Sequence, residues 1–346
     1  MTKKKIKILS IDGGGIRGIL PGTILKYIES ELQRKTNNPD TRLADHFDLI
    51  AGTSTGGILT CTYLMCDENG QSKYSAADAL NIYLERGGDI FNLPFSRKLW
   101  SWFGLRRPKY SVSSLEKALH DYFGETMTAD LKRPCIITSY DIRDRKAVFF
   151  NKVDGVKNPV RNYKVKDVAR ATSAAPTYFK PARIKSEIES PLVLVDGGVF
   201  ANNPALCAYA EARTLDFSQQ DTPGDFAYPS AEDMFLLSLG TGTEQEPYYY
   251  DKAKNWGMIK WIQPIIDIMM SGNSETVDYQ LKQMFKAVKH EGCYHRIQPS
   301  LHNAKSQMDD VSPENLKALH EAGLVYISQN EDQINTIIDQ ILELEP

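Results

Sequence analysis

The sequence predicts an α/β fold with a mainly parallel sheet that is flanked by helices. Short apolar runs of strand length alternate along the chain with longer segments of helical period. Several of these runs are apolar throughout, which is typical of strands buried on both faces of a sheet. Glycine-rich turns follow the first two runs, and functional groups gather at the ends of strands in open α/β sheets.

The predicted strands and helices follow one another from the N-terminus. Strands are predicted at IKILSI (6–11), FDLIA (47–51), PCIITSY, KAVFF, PLVLVD (191–196) and DMFLLSLG (233–240). Helices are predicted at 17–35, 55–66, from Pro204, and at about 256–271, 274–289, 312–328 and 331–343. We predict one domain over 1–346, with a core at about 5–245, a helical C-terminal part at about 255–346, and insertions near 88–110 and 216–232.

The composition is that of an ordinary globular protein. Of the 346 residues, 42% are hydrophobic and 25% are charged, and the net charge of -3 gives no overall attraction to nucleic acid. The five cysteines form no CxxC pair and no zinc-type cluster with histidine, so we expect reduced thiols and no metal. No apolar run is long enough to span a membrane or to form a signal peptide, which predicts a cytoplasmic protein.

Ser54 is the candidate nucleophile. The segment FDLIAGTSTGG (47–57) places a G-x-S-x-G pattern between an apolar strand and an apolar helix, as a nucleophile elbow requires. Gly52 and Gly56 allow a sharp turn, and the N-terminus of the following helix favours developing negative charge. The alternative is a serine that only caps the helix.

The first glycine-rich turn, in LSIDGGGIRGIL (9–20), is suited to holding an anion. Its spacing Gly13-x-Gly15-x-x-Gly18 also fits a dinucleotide-binding loop. That interpretation requires an acidic residue at the end of the second strand, where Ser54 and its neighbours stand instead. The lysine and hydroxyl of a P-loop are missing as well. An oxyanion of an ester under attack is therefore the favoured anion.

An aspartate is the favoured base, since none of the six histidines follows a strand as a triad histidine does. The segment LVLVDGGVFANNP places Asp196 at the end of an apolar strand and before Gly197. Asp-Gly-Gly is also ordinary turn chemistry. Its combination with the elbow and the glycine turn favours a catalytic role.

Three motifs, D-G-G-G-x-R-G at 12–18, G-T-S-T-G-G at 52–57 and D-G-G at 196–198, together resemble the patatin-like phospholipase family. The likeness continues in ATSAAPTYFKP (171–181), SLGTGT (238–243), YHRIQPSL (294–301) and QMDD (307–310), so it covers nearly the whole chain. The resemblance implies a modified α/β-hydrolase fold. It also implies hydrolysis of membrane phospholipid acyl esters by a Ser-Asp dyad, with no cofactor.

The resemblance assigns roles to individual residues. Ser54 would be the nucleophile and Asp196 the base. The N–H groups of Gly13, Gly14 and Gly15 would form the oxyanion hole, and Arg17 would orient this loop or meet lipid phosphate. The supporting residues would be Gly52, Gly56 and Gly197.

The resemblance leaves the control of the enzyme open. One alternative is a constitutive lipid acyl hydrolase or lysophospholipase. Another is an effector of bacterial antiphage defence, which a cyclic nucleotide activates at the inner membrane. A catalytically silent binding or storage protein is disfavoured by the intact Ser54 and Asp196. A homo-oligomer is compatible with each of these.

Residues 95–111, FSRKLWSWFGLRRPKYS, are the candidate for peripheral membrane contact. Trp100 and Trp102 suit the headgroup level, and Arg106 and Arg107 would meet anionic lipid. A surface helix, a lid over Ser54 and an oligomer contact are the alternatives.

Overall fold

The computed structural model describes residues 4–90, 110–217, 228–243 and 247–344. These residues form one sheet with helices packed on it, which confirms the α/β prediction. The strands are β1 Ile6–Ile11, β2 Leu49–Thr53, β3 Cys135–Asp141, β4 Lys146–Phe150, β5 Ala182–Lys185, β6 Pro191–Asp196, β7 Met234–Leu239 and β8 Tyr294–Ile297. The helices are α1 Ile19–Thr36, α2 Leu43–His46, α3 Thr55–Leu64, α4 Ala76–Ile90, α5 Ser113–Phe123, α6 Lys152–Lys157, α7 Val165–Thr172, α8 Ala205–Ala212, α9 Tyr250–Ala253, α10 Met258–Ala287, α11 Pro313–Gln329 and α12 Glu331–Glu343.

The sheet has the strand order β5-β6-β3-β2-β1-β7-β8, and β4 also pairs with β3. Strands β3, β2, β1, β7 and β8 are parallel to one another, whereas β4, β5 and β6 join by antiparallel pairs. Alternate residues of the central strands face opposite sides. Leu9 and Ile11 belong to one buried cluster, and Ile6 and Ile8 belong to a second cluster on the other face. Both faces of the sheet are therefore covered.

The elements that were not predicted include strands β5 and β8 and helices α4, α5 and α7. Among the predicted elements, two features differ. Strand β6 comes from an apolar run of the kind that is typical of strands buried in a parallel sheet, but it is antiparallel to β3 and stands second from one end. The two helices expected at 256–271 and 274–289 form the single helix α10. Where the two predicted helices would meet, Asn273 Nδ2 donates to Phe200 O and Ser274 Oγ donates to Asp12 Oδ2. The polar side chains thus bond to other segments of the protein, and the helix continues without a break.

Within the described ranges, none of the helices combines the length and the apolar character that crossing a bilayer demands.

A substitution in helix α12 tests how much the C-terminal part contributes to the core. Ile338 on α12 is fully buried in the larger cluster. Ile338→Ala should lower the free energy of unfolding by about 2–5 kcal/mol, because it removes buried carbon atoms and leaves a cavity. Leu324→Ala on α11, where the side chain is 47% exposed, is the control and should cost about 0.5 kcal/mol or less. Urea unfolding measures both, and equal losses would show that α12 contributes little to the core.

Candidate active site

Ser54 lies at a sharp turn between β2 and α3. Its backbone has φ 55° and ψ -119°, a conformation that non-glycine residues rarely adopt. A β-carbon on Gly52 would approach Gly56 O to 2.1 Å, and one on Gly56 would approach Ile11 O to 2.1 Å, so glycine is required at both places. The Ser54 N–H donates to Thr172 Oγ1 at 2.8 Å. Packing on both sides thus holds the turn in its strained form.

Asp196 reaches Ser54 because two strands share one edge of β3. Strand β2 pairs along β3 as far as Thr53, opposite Thr138. From Ser139 onward β6 takes over, and Asp196 stands opposite Ser139. The opposite edge of β3 is occupied by β4. Asp196 therefore arrives one position beyond the end of β2, beside Ser54, although its strand runs in the opposite direction.

The Asp196 carboxyl is buried and hydrogen-bonded. Only 5% of the residue is exposed. Burial raises the pKa of Asp196 to about 7, and hydrogen bonds from the Ser54 side chain and the Gly198 N–H limit the rise. The Gly198 N–H donates to Asp196 Oδ1 at 2.7 Å. A carboxylate that titrates near neutral pH can take a proton from a hydroxyl, which an ordinary aspartate does poorly.

The three glycines of the first turn are not equivalent. The Gly13 N–H donates to Asn202 O at 3.0 Å, so it is occupied within the protein rather than offered to a ligand. Gly14 and Gly15 line the same cavity as Ser54. Of the three expected oxyanion donors, the geometry therefore leaves Gly14 and Gly15.

Two side chains fix the peptide groups that carry these N–H groups. Thr241 Oγ1 donates to Gly13 O at 2.8 Å, and that carbonyl belongs to the same peptide as the Gly14 N–H. Arg17 contacts Gly14 O through its backbone N at 3.2 Å and its Nε at 3.4 Å, and this peptide carries the Gly15 N–H. Since C=O and N–H point oppositely in a trans peptide, each contact orients one N–H.

A buried ion pair lies at the start of the same turn, and the sequence did not predict it. Asp12 is 2% exposed, and Arg296 of β8 bonds to both of its oxygens, Nη1 to Oδ1 at 2.8 Å and Nη2 to Oδ2 at 2.5 Å. Ser274 adds a hydrogen bond to Oδ2 at 3.3 Å, and Arg296 also donates to Ser238 at 2.8 Å. The segment YHRIQPSL suggested the family, but no spacing connects Arg296 to Asp12.

An apolar cavity of about 190 Å³ opens beside Ser54 and Asp196. Tyr83 is also in its wall and donates to Thr55 O at 2.9 Å. The apolar part of the lining comes mainly from α3, α4, α5, the segment after α7, and α10, and includes Ile58, Ile82, Leu115, Leu119, Phe123, Phe179 and Met270. Such a lining suits a hydrocarbon chain, with the two polar groups at the place where an ester would react.

The comparison with protein families decides the identity. The model of the family described as patatin-like phospholipase matches residues 9–209, which include the glycine turn, Ser54 and Asp196. The chain belongs to this family. Membership supports lipid acyl hydrolase activity and confirms the resemblance found in the sequence.

Relatives match over most of the chain. Patatin group J-1 of Solanum tuberosum is 36% identical over 332 residues, or 93% of this chain and 83% of that protein. Patatin-like protein 1 of Oryza sativa subsp. indica is 33% identical over 355 residues, which cover 99% of this chain and 86% of that protein. Probable inactive patatin-3-Kuras 1 of Solanum tuberosum is 36% identical over 343 residues, which cover 96% of this chain and 89% of that protein. The solved structure of VipD from Legionella pneumophila aligns over 97% of this chain and 67% of its own, at 12% identity and TM-score 0.39.

The remaining candidates of the patatin-like chain are placed as follows. Gly197 lies against β3, where a β-carbon would approach Thr138 Oγ1 to 2.0 Å. None of the six histidines lines the cavity. Trp100, Trp102, Arg106 and Arg107 lie outside the described residues. Within the described part, no group of three or more His, Cys, Asp or Glu side chains could hold a metal ion.

The buried Asp196 predicts a pH-dependent stability. The pKa of Asp196 is about 7 in the folded protein, against an ordinary value of 3.8. At a pH between these two values the folded chain keeps a proton that the unfolded chain has released. The free energy of unfolding should therefore fall as pH rises through this window, by up to about 4 kcal/mol from this group. Asp196→Asn should remove that slope and become more stable than the parent protein towards pH 7. Urea unfolding across the window measures it, and a pH-independent difference between the two proteins would contradict the raised pKa.

Proposed function

We propose that this protein is a serine esterase of phospholipase A type, which cleaves acyl esters of membrane glycerophospholipids with Ser54 and Asp196. The observation that carries the proposal is the hydrogen bond between the Ser54 side chain and a buried aspartate of pKa about 7, in the wall of an apolar cavity. Nucleophile, base and acyl-chain site are thereby in contact. The family supports the lipid acyl hydrolase class, and the dyad is our assignment within it.

The reaction follows from these contacts. Ser54 Oγ attacks the ester carbonyl while Asp196 accepts the hydroxyl proton. Asp196 then returns this proton to the oxygen of the leaving lysolipid, and the acyl group remains on Ser54. In the second half Asp196 takes a proton from water, whose oxygen attacks the acyl-enzyme. The fatty acid leaves, and Ser54 recovers its proton from Asp196.

The oxyanion of each tetrahedral intermediate would accept hydrogen bonds from Gly14 and Gly15. Loss of one such donor costs about 3–4 kcal/mol in other serine hydrolases. Because Thr241 and Arg17 already hold the two peptides, the N–H groups need no rearrangement when charge develops. Arg17 would thus act by positioning the loop.

Control by a cyclic nucleotide and a place in antiphage defence remain predictions from the resemblance. We expect such an effector to contact the inner membrane from the cytoplasm. A panel of cyclic dinucleotides, added to the protein with a phospholipid substrate, separates the alternatives. A constitutive hydrolase shows full activity without any of them.

The dyad itself is tested by substitution. Ser54→Ala and Asp196→Asn should each lower hydrolysis of a short soluble ester by at least about a thousandfold, and the double variant should be little worse, since the two groups act as a unit. Ser173→Ala is the matched control, because Ser173 lines the same cavity but donates to Ala169 O at 2.7 Å. If Asp196→Asn keeps more than about a tenth of the activity, the dyad is wrong.

The oxyanion assignment is tested at Thr241. Thr241→Val keeps the shape but removes the hydrogen bond to Gly13 O, so kcat should fall about 10- to 100-fold while KM changes little. Thr241→Ser keeps the hydroxyl and should retain most of the activity. Equal losses in the two variants would indicate a packing role, and a change confined to KM would indicate that the loop binds the substrate in its ground state.

A further inference from the structure

The first half of α10 carries an apolar face that solvent reaches. The exposed fractions are 91% for Met258, 45% for Ile262, 50% for Ile265, 46% for Ile268 and 53% for Met269. Spacings of three and four residues place these side chains on one side of a helix. Exposed apolar surface of this kind marks an interaction site when it is contiguous.

The same helix forms part of the cavity wall. Ile266, Met269 and Met270 line the cavity that contains Ser54. Met269 is therefore in both surfaces, since it lines the cavity and is half exposed. Apolar surface thus continues from the outer face of α10 to the neighbourhood of the nucleophile.

Aromatic side chains belong to this face and to the segment that precedes it. Trp261 is 39% exposed and contacts Trp256 edge to face, with ring centroids 5.1 Å apart. Tyr250, at the start of α9, is 78% exposed. Tryptophan and tyrosine favour the headgroup level of a bilayer, so this composition fits a lipid surface.

We propose that the α10 face, formed by Met258, Trp261, Ile262, Ile265, Ile268 and Met269, docks on a lipid bilayer. This rests on the proposed function, because the substrate ester then lies within that bilayer. An acyl chain that left the bilayer through water would expose its whole apolar surface. Contact through the α10 face lets the chain pass along Met269 into the cavity without that exposure. Its residues are not those of the segment 95–111, which the sequence suggested for membrane contact.

Binding is measured first, without catalysis. In a Ser54→Ala background, co-sedimentation with vesicles of phosphatidylethanolamine and phosphatidylglycerol gives the partition coefficient. Trp261→Ala with Ile265→Ala should lower it at least about tenfold, because several buried carbon atoms are lost from the contact. Leu324→Ala with Val325→Ala on α11 is the matched control, since those side chains are 47% and 38% exposed. The control should bind as its parent does, and unchanged binding of the α10 variant would overturn the proposal.

Activity is measured next, with Ser54 intact. The α10 variant should lose hydrolysis of the same vesicles by a similar factor and keep the parent rate on a short soluble ester. Equal loss on both substrates would overturn docking. Docking would also be overturned if light scattering showed a dimer for the parent protein and a monomer for the α10 variant. A second copy of the chain would then occupy the face. If the parent protein hydrolyses neither substrate, the proposed function fails, whereas vesicle binding still reports on docking.

Discussion

The buried pair of Asp12 and Arg296 is the interaction on which the arrangement of the site depends. Asp12 directly follows β1 and begins the glycine turn, and Arg296 lies on β8. Ser238 of β7 and Ser274 of α10 complete the hydrogen bonds. Two charges buried together bring little net stability, but loss of one partner leaves an uncompensated charge inside the protein. The pair therefore fixes where the glycine turn leaves the sheet.

The contacts around this pair extend beyond the residues that the family model matches. The family match ends at residue 209, yet the charge of Asp12 is neutralised by a residue far beyond it. Thr241, which orients the Gly14 N–H, also lies past the match. Helix α10, β8 and the segment after β7 thus contribute to the geometry around Ser54 and Asp196, which both lie within the first 209 residues.

The sequence predicted the local parts of this arrangement well and the tertiary parts poorly. The elbow around Ser54 was predictable because its strand, its glycines and its helix are consecutive residues. Asp196 was placed at the correct strand end, but the direction of β6 depends on pairing with β3, which no local pattern encodes. The occupied Gly13 N–H and the Asp12–Arg296 pair join residues that are 189 and 284 positions apart, respectively, so spacing carries no signal for them.

The shared edge of β3 has a consequence for how this protein can vary. The separation of Ser54 and Asp196 is set by where β2 stops and β6 begins along β3, and not by the chain that connects them. Segments inserted between Thr53 and Asp196 can lengthen at the surface at small entropic cost. A single residue added within β2, by contrast, would carry the serine past the aspartate and turn its side chain to the other face. Loop length is thus free to diverge among relatives, while the length of one five-residue strand is not.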